Sequence, residues 1–325
     1  MSRIVPDCAS TVIRHGGAGN RGGAPVVGSV MTDTGASSVP RPSSSGPLVG
    51  VTGSTGAVGG RVAAALAEAG VRQRLVVRDA SRAPRLAGAE VAEATYGDHE
   101  ASVAALRGVD VLFMVSAAEA PDRRAQHLDF VAAAAEAGVG HVVYTSFQGA
   151  APDAVFTLAR DHWATEEALR TSGMQVTLLR DSFYLDVLPE FADEQGVLRG
   201  PAGSGRVAAV ARADVADVVA AVLQQPSAHV GAIYELTGSE AVTLAEAAAR
   251  LSVVLGRPFS FVDETLDEAY ASRERWQPEP WQADAWVSTY TSLASGEVSR
   301  VTTAVRDLTG HDPLTIETLF GLRGA

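Results

Sequence analysis

The apolar run at residues 48–52 leads without a break into Gly53-Ser54-Thr55-Gly56-Ala57-Val58-Gly59, and then into a segment of helical period. Three glycines at this spacing permit a tight turn, a close approach of backbone to a pyrophosphate, and tight packing of helix on strand. The helix N-terminus then faces the anion with its free N–H groups. The pattern carries weight here because it sits at the strand-to-helix junction that opens the first βαβ unit. Gly53, Ser54, Thr55, Gly56, Val58 and Gly59 are therefore candidate cofactor-binding residues.

Downstream, apolar runs at 75–78, 109–116, 141–146 and 176–180 alternate with Ala-rich helical segments such as 61–69, ended by Gly70, and 124–137, ended by Gly138. Runs that are apolar on both faces suit strands covered by helices on both sides, and the glycines suit left-handed helix ends. The pattern predicts an α/β protein with a doubly wound parallel sheet. Beyond about residue 185 the alternation loosens. Helices are expected at 214–223 and 244–255, the latter closed by Gly256, with strands at 232–236 and 259–262. Trp276, Trp281 and Trp286 fall in a stretch suited to packing of a small lobe, a cleft wall or a subunit contact, which leaves a homodimer open.

The organisation expected is a tail at 1–46, a dinucleotide-binding domain at 47–185, and a mixed region at 186–325 that partly returns to the sheet at about 207–240 and forms a substrate lobe. The first 46 residues hold 8 Gly, 4 Pro and 8 Ser with no Leu and no aromatic residue, so they are read as disordered. Met31 offers an alternative start that loses no structured residue. The net charge of −12 becomes −14 from Pro47 onward, which argues against nucleic acid or an anionic membrane as partner. One cysteine, Cys8, points to no oxidising compartment, and no run of 18 apolar residues appears. A soluble, cytoplasmic enzyme is the expectation. All 26 basic residues are Arg, so chemistry that needs a lysine amine is excluded.

Arg78 ends the second strand, 19 positions after Gly59, where a dinucleotide fold usually places an acid on the ribose hydroxyls. A guanidinium there favours a 2′-phosphate, and hence NADP(H) ahead of NAD(H). Asp79 reads as a helix cap, and Arg82 adds charge. Asp98 after the third strand is placed to accept from the adenine amine or to cap a helix. Ser116 and Ala117 end the fourth strand, where small residues leave room for the cofactor ribose. Thr145 and Ser146 end the fifth strand; Ser146 is a candidate to hydrogen-bond the nicotinamide ribose or the substrate. Phe183 and Tyr184 follow the sixth strand and are placed either to stack on a flat acceptor or to pack in the core. Asp214 and Asp217 read as helix caps. The remaining histidines show no metal-ligand spacing, so no metal is expected.

The sequence resembles the NmrA-like branch of the atypical short-chain dehydrogenase/reductases, including its NAD(P)H:quinone oxidoreductase-like members. The motifs that carry the likeness are residues 51–59, Val77-Arg78-Asp79, Gly97-Asp98, residues 106–110, His162, residues 166–169, Ser172-Gly173, Leu179-Arg180, Phe183-Tyr184, residues 213–217 and residues 234–238. The resemblance covers most of 47–255 and implies a Rossmann-type sheet, NADP held across the strand ends, and a cleft closed by a smaller C-terminal α/β lobe. The Tyr-x-x-x-Lys pair of the wider superfamily is absent: its nearest frame reads Phe156-Thr157-Leu158-Ala159-Arg160. In the branch's own register His162 takes the lysine position, to donate a proton or to hold a ribose or substrate oxygen; a histidine simply satisfied on its helix is the competing reading. His162, Ser146 and Tyr184 are the catalytic candidates. The expected activity is hydride transfer from NADPH to a quinone or another small conjugated carbonyl acceptor; the alternative is a non-catalytic NAD(P)-binding redox sensor.

Overall fold

Residues 46–321 are described by a computed structural model; the expected tail, apart from Gly46, and residues 322–325 lie outside the described residues. The first half alternates strictly. Strand β1 (Val49–Thr52) and helix α1 (Ala57–Glu68) are followed by β2 (Gln73–Val77), β3 (Glu90–Glu93), α2 (His99–Leu106), β4 (Val111–Met114), α3 (Arg123–Glu136), β5 (His141–Phe147), α4 (Thr157–Thr171) and β6 (Gln175–Asp181). After β7 (Val197–Gly200), β8 (Arg206–Val207) and α5 (Arg212–Gln224), strand β9 (Ile233–Leu236) returns to the sheet.

The main sheet has seven strands, all parallel, in the order β3-β2-β1-β4-β5-β6-β9. The order reverses between β1 and β4, and ligands of such sheets lie in the crevice outside the carboxyl ends at that point. Because side chains alternate along a strand, one face sends Val49, Val51, Leu75, Val143 and Leu179 against Val62 and Leu66 of α1 and Val215, Val218 and Val222 of α5. The other sends Leu112, Met114, Val142, Tyr144 and Leu178 against Leu106 of α2, Phe130 and Val131 of α3, and Leu169 of α4. Strand β3 is largely exposed, as an edge strand is, and this explains its lack of an apolar run in the sequence.

A second, smaller lobe holds β10 (Val242–Thr243), α6 (Leu244–Leu255), β11 (Ser260–Asp263), α7 (Leu266–Arg273), α8 (Pro280–Ser295) and α10 (Ile316–Gly321), while α9 (Ala304–Thr309) packs against α5 and β9. Two short pairs, β7 with β11 and β8 with β10, lie outside the main sheet. Thr243 and Thr265 each form a reciprocal capping box, with Glu246 and Glu268, that starts α6 and α7. The lobe's core of Leu198, Leu251, Tyr290 and Phe320 is continuous with Phe147, Phe156 and Phe183 from the carboxyl edge of the sheet and the start of α4.

Glu166 of α4 is fully buried and ties the sheet to that helix. Its Oε1 accepts from Ser146 Oγ at 2.5 Å and Arg180 Nε at 2.8 Å, while Oε2 accepts from Arg180 Nη2 at 2.7 Å and Arg170 Nη2 at 2.8 Å. Removing one partner of a buried pair strands the other charge, at a cost of about 3–5 kcal/mol. Thermal unfolding of Glu166→Ala is therefore expected about 10 °C below the wild type; an unchanged midpoint would show that this network does not hold α4 to the sheet.

Candidate functional site

A cleft of about 410 Å³ opens along the carboxyl edge of the sheet, from the loop after β1 to the segment after β6. At one end the chain turns at Gly53, whose φ of +63° suits glycine, and Gly56 N donates to Gly53 O at 2.9 Å. A Cβ on Gly59 would stand 2.4 Å from Gly53 O and 2.8 Å from Thr52 O, so only glycine lets α1 lie this close to β1. Helix α1 starts at Gly56 with no side-chain cap and no acid in its first turn. By contrast, Asp98 caps α2 and Thr243 caps α6. The positive end of α1 is left for an anion from outside the chain. Gly53, Thr55, Gly56, Val58 and Gly59 line the cleft. Ser54 does not; it is buried, and its Oγ has no hydrogen-bond partner among the described residues.

Arg78, exposed at the end of β2, lies on the cleft wall. The neighbouring Asp79 spends its carboxylate on Ser81, accepting from Oγ at 2.6 Å and from N at 2.9 Å, and these bonds hold its pKa below the usual value. A cation, not an acid, thus faces the cleft at the end of β2. Asp98 departs from the adenine-binding expectation: it is off the wall, and its Oδ1 accepts from Ala101 N at 3.1 Å. Ala94, Thr95, Tyr96 and Gln126 line that part of the cleft instead. Tyr96 is fixed by donation to Val115 O at 2.6 Å, a hydroxyl contact with Thr52 at 2.7 Å, and stacking on Phe130 at 4.0 Å.

Further along, Ser116 and Ala117 line the wall with their amides engaged. Ser116 N donates to Thr145 Oγ1 at 2.9 Å, and Ala117 N donates to His127 Nε2 at 2.8 Å. Thr145 itself sits behind them, buried and off the wall, so it supports this loop rather than facing a ligand directly. Ser146 reaches the wall, but its hydroxyl proton is committed to Glu166.

His162 is brought to the cleft and is 6 % exposed, yet the proton-donor expectation does not fit its surroundings. Arg123 Nη2 lies 3.0 Å from its Nε2 and donates to it, leaving Nδ1–H for Tyr144 Oη at 2.9 Å. Burial, and then the Arg123 charge, push its pKa well below the ordinary histidine value. The ring is a neutral tie between β5, α3 and α4. Arg123, itself 3 % exposed, also holds Ala117 O at 2.9 Å and Asp161 at 3.2 Å.

At the far end the cleft is lined by Phe147, Phe156, Leu158, Phe183 and Tyr184, with Phe147 and Phe156 each about 5 Å edge-on from Phe183. Among them sits Asp181, 2 % exposed, whose Oδ2 accepts from Tyr184 Oη at 2.9 Å and whose Oδ1 has no hydrogen-bond partner among the described residues. Burial outweighs the tyrosine hydrogen bond and raises its pKa to about 8. From α8, Trp286 Nε1 reaches Glu119 of the wall at 3.4 Å, so the tryptophan stretch borders the cleft. Away from these residues, Asp214, Asp217 and His311 bring ligand atoms within 4.8 Å of one another, a group hidden in the sequence by a separation of nearly 100 residues. Asp214 Oδ2 there accepts from Leu314 N at 2.8 Å.

The model of the NmrA-like family matches residues 46–272. The chain belongs to the NmrA-like family. It is 37 % identical to a (4-alkanoyl-5-oxo-2,5-dihydrofuran-3-yl)methyl phosphate reductase of Streptomyces griseus, over 81 % of this chain and 93 % of that protein. It is 36 % identical to quinone oxidoreductase 2 of Escherichia coli, over 68 % of this chain and 79 % of that protein. Among solved structures, an NADPH-dependent quinone oxidoreductase from Escherichia coli complexed with NADPH superposes with a TM-score of 0.77 at 31 % identity, covering 85 % of this chain and 100 % of that one.

Arg123, Tyr96 and Arg212 are wall residues not anticipated from the sequence, and Asp181, in the segment expected to pass the nicotinamide face, is given no role of its own by the sequence. Arg123 opens a helix after the fourth strand of an α/β sheet, which was a usable signal; the burial of Asp181 depends on Phe147 and Leu236 from distant strands and gave none.

A buried acid with a raised pKa is protonated in the folded chain and ionised in the unfolded one between the two values. Its favourable linkage is complete below about pH 4 and is lost as pH rises to about 8. The melting temperature of Asp181→Asn, relative to wild type, is therefore expected to climb between pH 5 and pH 8. A difference that is flat with pH would mean that Asp181 is already ionised.

Proposed function

We propose that this NmrA-like protein is an NADPH-dependent reductase that delivers hydride to a quinone or another small conjugated carbonyl acceptor. The observation that carries this reading is the make-up of the cleft: an anion-receptive helix end and an exposed arginine at one end, an aromatic pocket with a buried acid at the other. The named relatives agree in kind, since each is a reductase of a small carbonyl-bearing molecule or a quinone.

The residues fit a dinucleotide. The uncapped start of α1 and the Gly53–Gly59 turn hold the pyrophosphate by backbone N–H groups. Arg78 takes the 2′-phosphate, where a charge-assisted bond contributes about 1.5–3 kcal/mol. Ser116 and Ala117 give the nicotinamide ribose room, and the smaller C-terminal lobe serves as the substrate lobe. A bound dihydronicotinamide supplies the hydride. Phe147, Phe156 and Phe183 orient a flat acceptor and exclude water, which suits an acceptor that needs alignment more than a strong base. With no Tyr-Lys pair present, reduction of an unactivated ketone is disfavoured.

The first test follows loss of NADPH absorbance with a panel of quinones and conjugated enones, beside a cofactor-binding titration. Turnover with any acceptor is the expected result; tight binding without turnover across the panel would favour a redox sensor instead. Arg78→Ala is expected to weaken NADPH binding by about 10- to 100-fold while changing NADH little. Equal losses for both cofactors would remove Arg78 from the phosphate site.

A further inference from the structure

Asp181 ends β6 at the aromatic end of the cleft, and the nucleotide-binding residues leave its role unexplained. Its flanking strands set no charge against it, since β5 brings Phe147 and β9 brings Leu236 into register opposite. Of the charged groups on the surrounding elements, Arg180 and Arg123 are hydrogen-bonded elsewhere, and Arg212, which shares the cleft wall, has an acid of its own in Asp186. Arg180, on the other face of β6, is held by Glu166; Arg212 of α5 lies 3.8 Å from Asp186 in the turn after β6; Arg123 of α3 bonds His162 of α4. Among the described residues, Tyr184 is the titratable group whose hydrogen bond bears on the carboxyl. Its backbone is pinned by neighbours: Leu185 N donates to Val210 O at 2.9 Å and Val210 N donates to Phe183 O at 3.0 Å. Tyr184 is only partly buried and lines the cleft, and its hydroxyl contacts the enclosed acid at 2.9 Å.

We infer that Asp181 stores the proton consumed by the reduction, and that the Tyr184 hydroxyl passes it to the acceptor. The inference rests on the reductase reading above. Hydride, with its electron pair, comes from a bound dihydronicotinamide and forms the new bond on the acceptor, leaving an oxyanion. With Asp181 protonated on Oδ2, the 2.9 Å contact runs the other way, the acid donating to the Tyr184 oxygen and leaving the Tyr184 O–H for the acceptor. The Tyr184 O–H then breaks as the acceptor O–H forms, and the Asp181 O–H breaks as its proton passes to the Tyr184 oxygen. Asp181 is left as a carboxylate and recovers a proton from water between turnovers. A neutral acid in a dry pocket suits this task because its proton is available near neutral pH without a compensating cation.

Two measurements test this. In the full chain with ¹³C-carboxyl aspartate and neither cofactor nor acceptor present, NMR is expected to show one carboxyl titrating near pH 8 that disappears in Asp181→Asn. An Asp181 signal already ionised at pH 6 would overturn the inference. With NADPH and a quinone, the wild-type rate is expected to be flat below about pH 8 and to fall above it. Asp181→Asn is expected to lose about 100-fold at pH 6.5 together with that limb. Tyr184→Phe should lose as much rate while the Asp181 carboxyl still titrates. A wild-type rate and pH profile in Asp181→Asn would refute the assignment. If no acceptor is turned over, the reductase reading falls, while the titration still decides whether Asp181 holds a proton.

Discussion

The close pass of Gly53 beneath the start of α1 governs the rest of the cleft. With carbonyl oxygens 2.4 and 2.8 Å from where a Gly59 Cβ would be, the helix lies against β1 at a distance that any side chain would widen. That contact aims the free N–H groups of α1 at the point where the strand order reverses between β1 and β4. In a parallel sheet every strand end reaches the same edge, so the aim of one helix fixes where the ends of β2, β4, β5 and β6 meet a shared ligand.

The charges along this edge divide by environment. At the nucleotide end Arg78 is exposed and Asp79 is turned away onto Ser81, which leaves net positive character where a phosphate would lie. Deeper in, Arg123 is buried but matched by Asp161, His162 and a backbone carbonyl, so its charge stiffens the wall. At the aromatic end Asp181 is buried without a cation, and desolvation decides its state. One edge therefore offers a fixed cation, a satisfied cation and a neutral acid in sequence, the order of demands made by a nucleotide phosphate, a rigid wall and a proton-consuming acceptor.

The sheet was legible because a strand buried on both faces must be apolar throughout, and the glycine turn was legible because backbone contact leaves no alternative residue. Edge strand β3 carries no apolar run, since exposure removes that signature, and could be placed only by its order in the alternation, before Asp98. Arg78 could be placed by its distance from Gly59, because β2 follows α1 by a fixed geometry. Asp98 and His162 show the limit of position alone. Each lies near where the motif put it, but the helix N-terminus claims the Asp98 carboxylate, and Arg123 and Tyr144 claim both His162 nitrogens. The place of Asp181 after the sixth strand was legible, but its burial was not, because the strand neighbours in register with it lie more than 30 positions away on either side.

The absence of lysine sharpens what remains. Arginine stays charged at any pH a protein tolerates, so none of the 26 basic residues can serve as a proton donor in the way a perturbed amine does. Histidine is the usual substitute, but His162 on the wall and His127 buried behind it are both driven neutral by burial and by Arg123. A buried cation that anchors the wall thus disables the imidazoles beside it as acids. The same desolvation acts in the opposite sense on a carboxyl, holding the proton on instead of off. Within one apolar cleft, the group that burial leaves holding a proton near neutral pH is therefore not a histidine but Asp181, with no cation acting on it among the described residues.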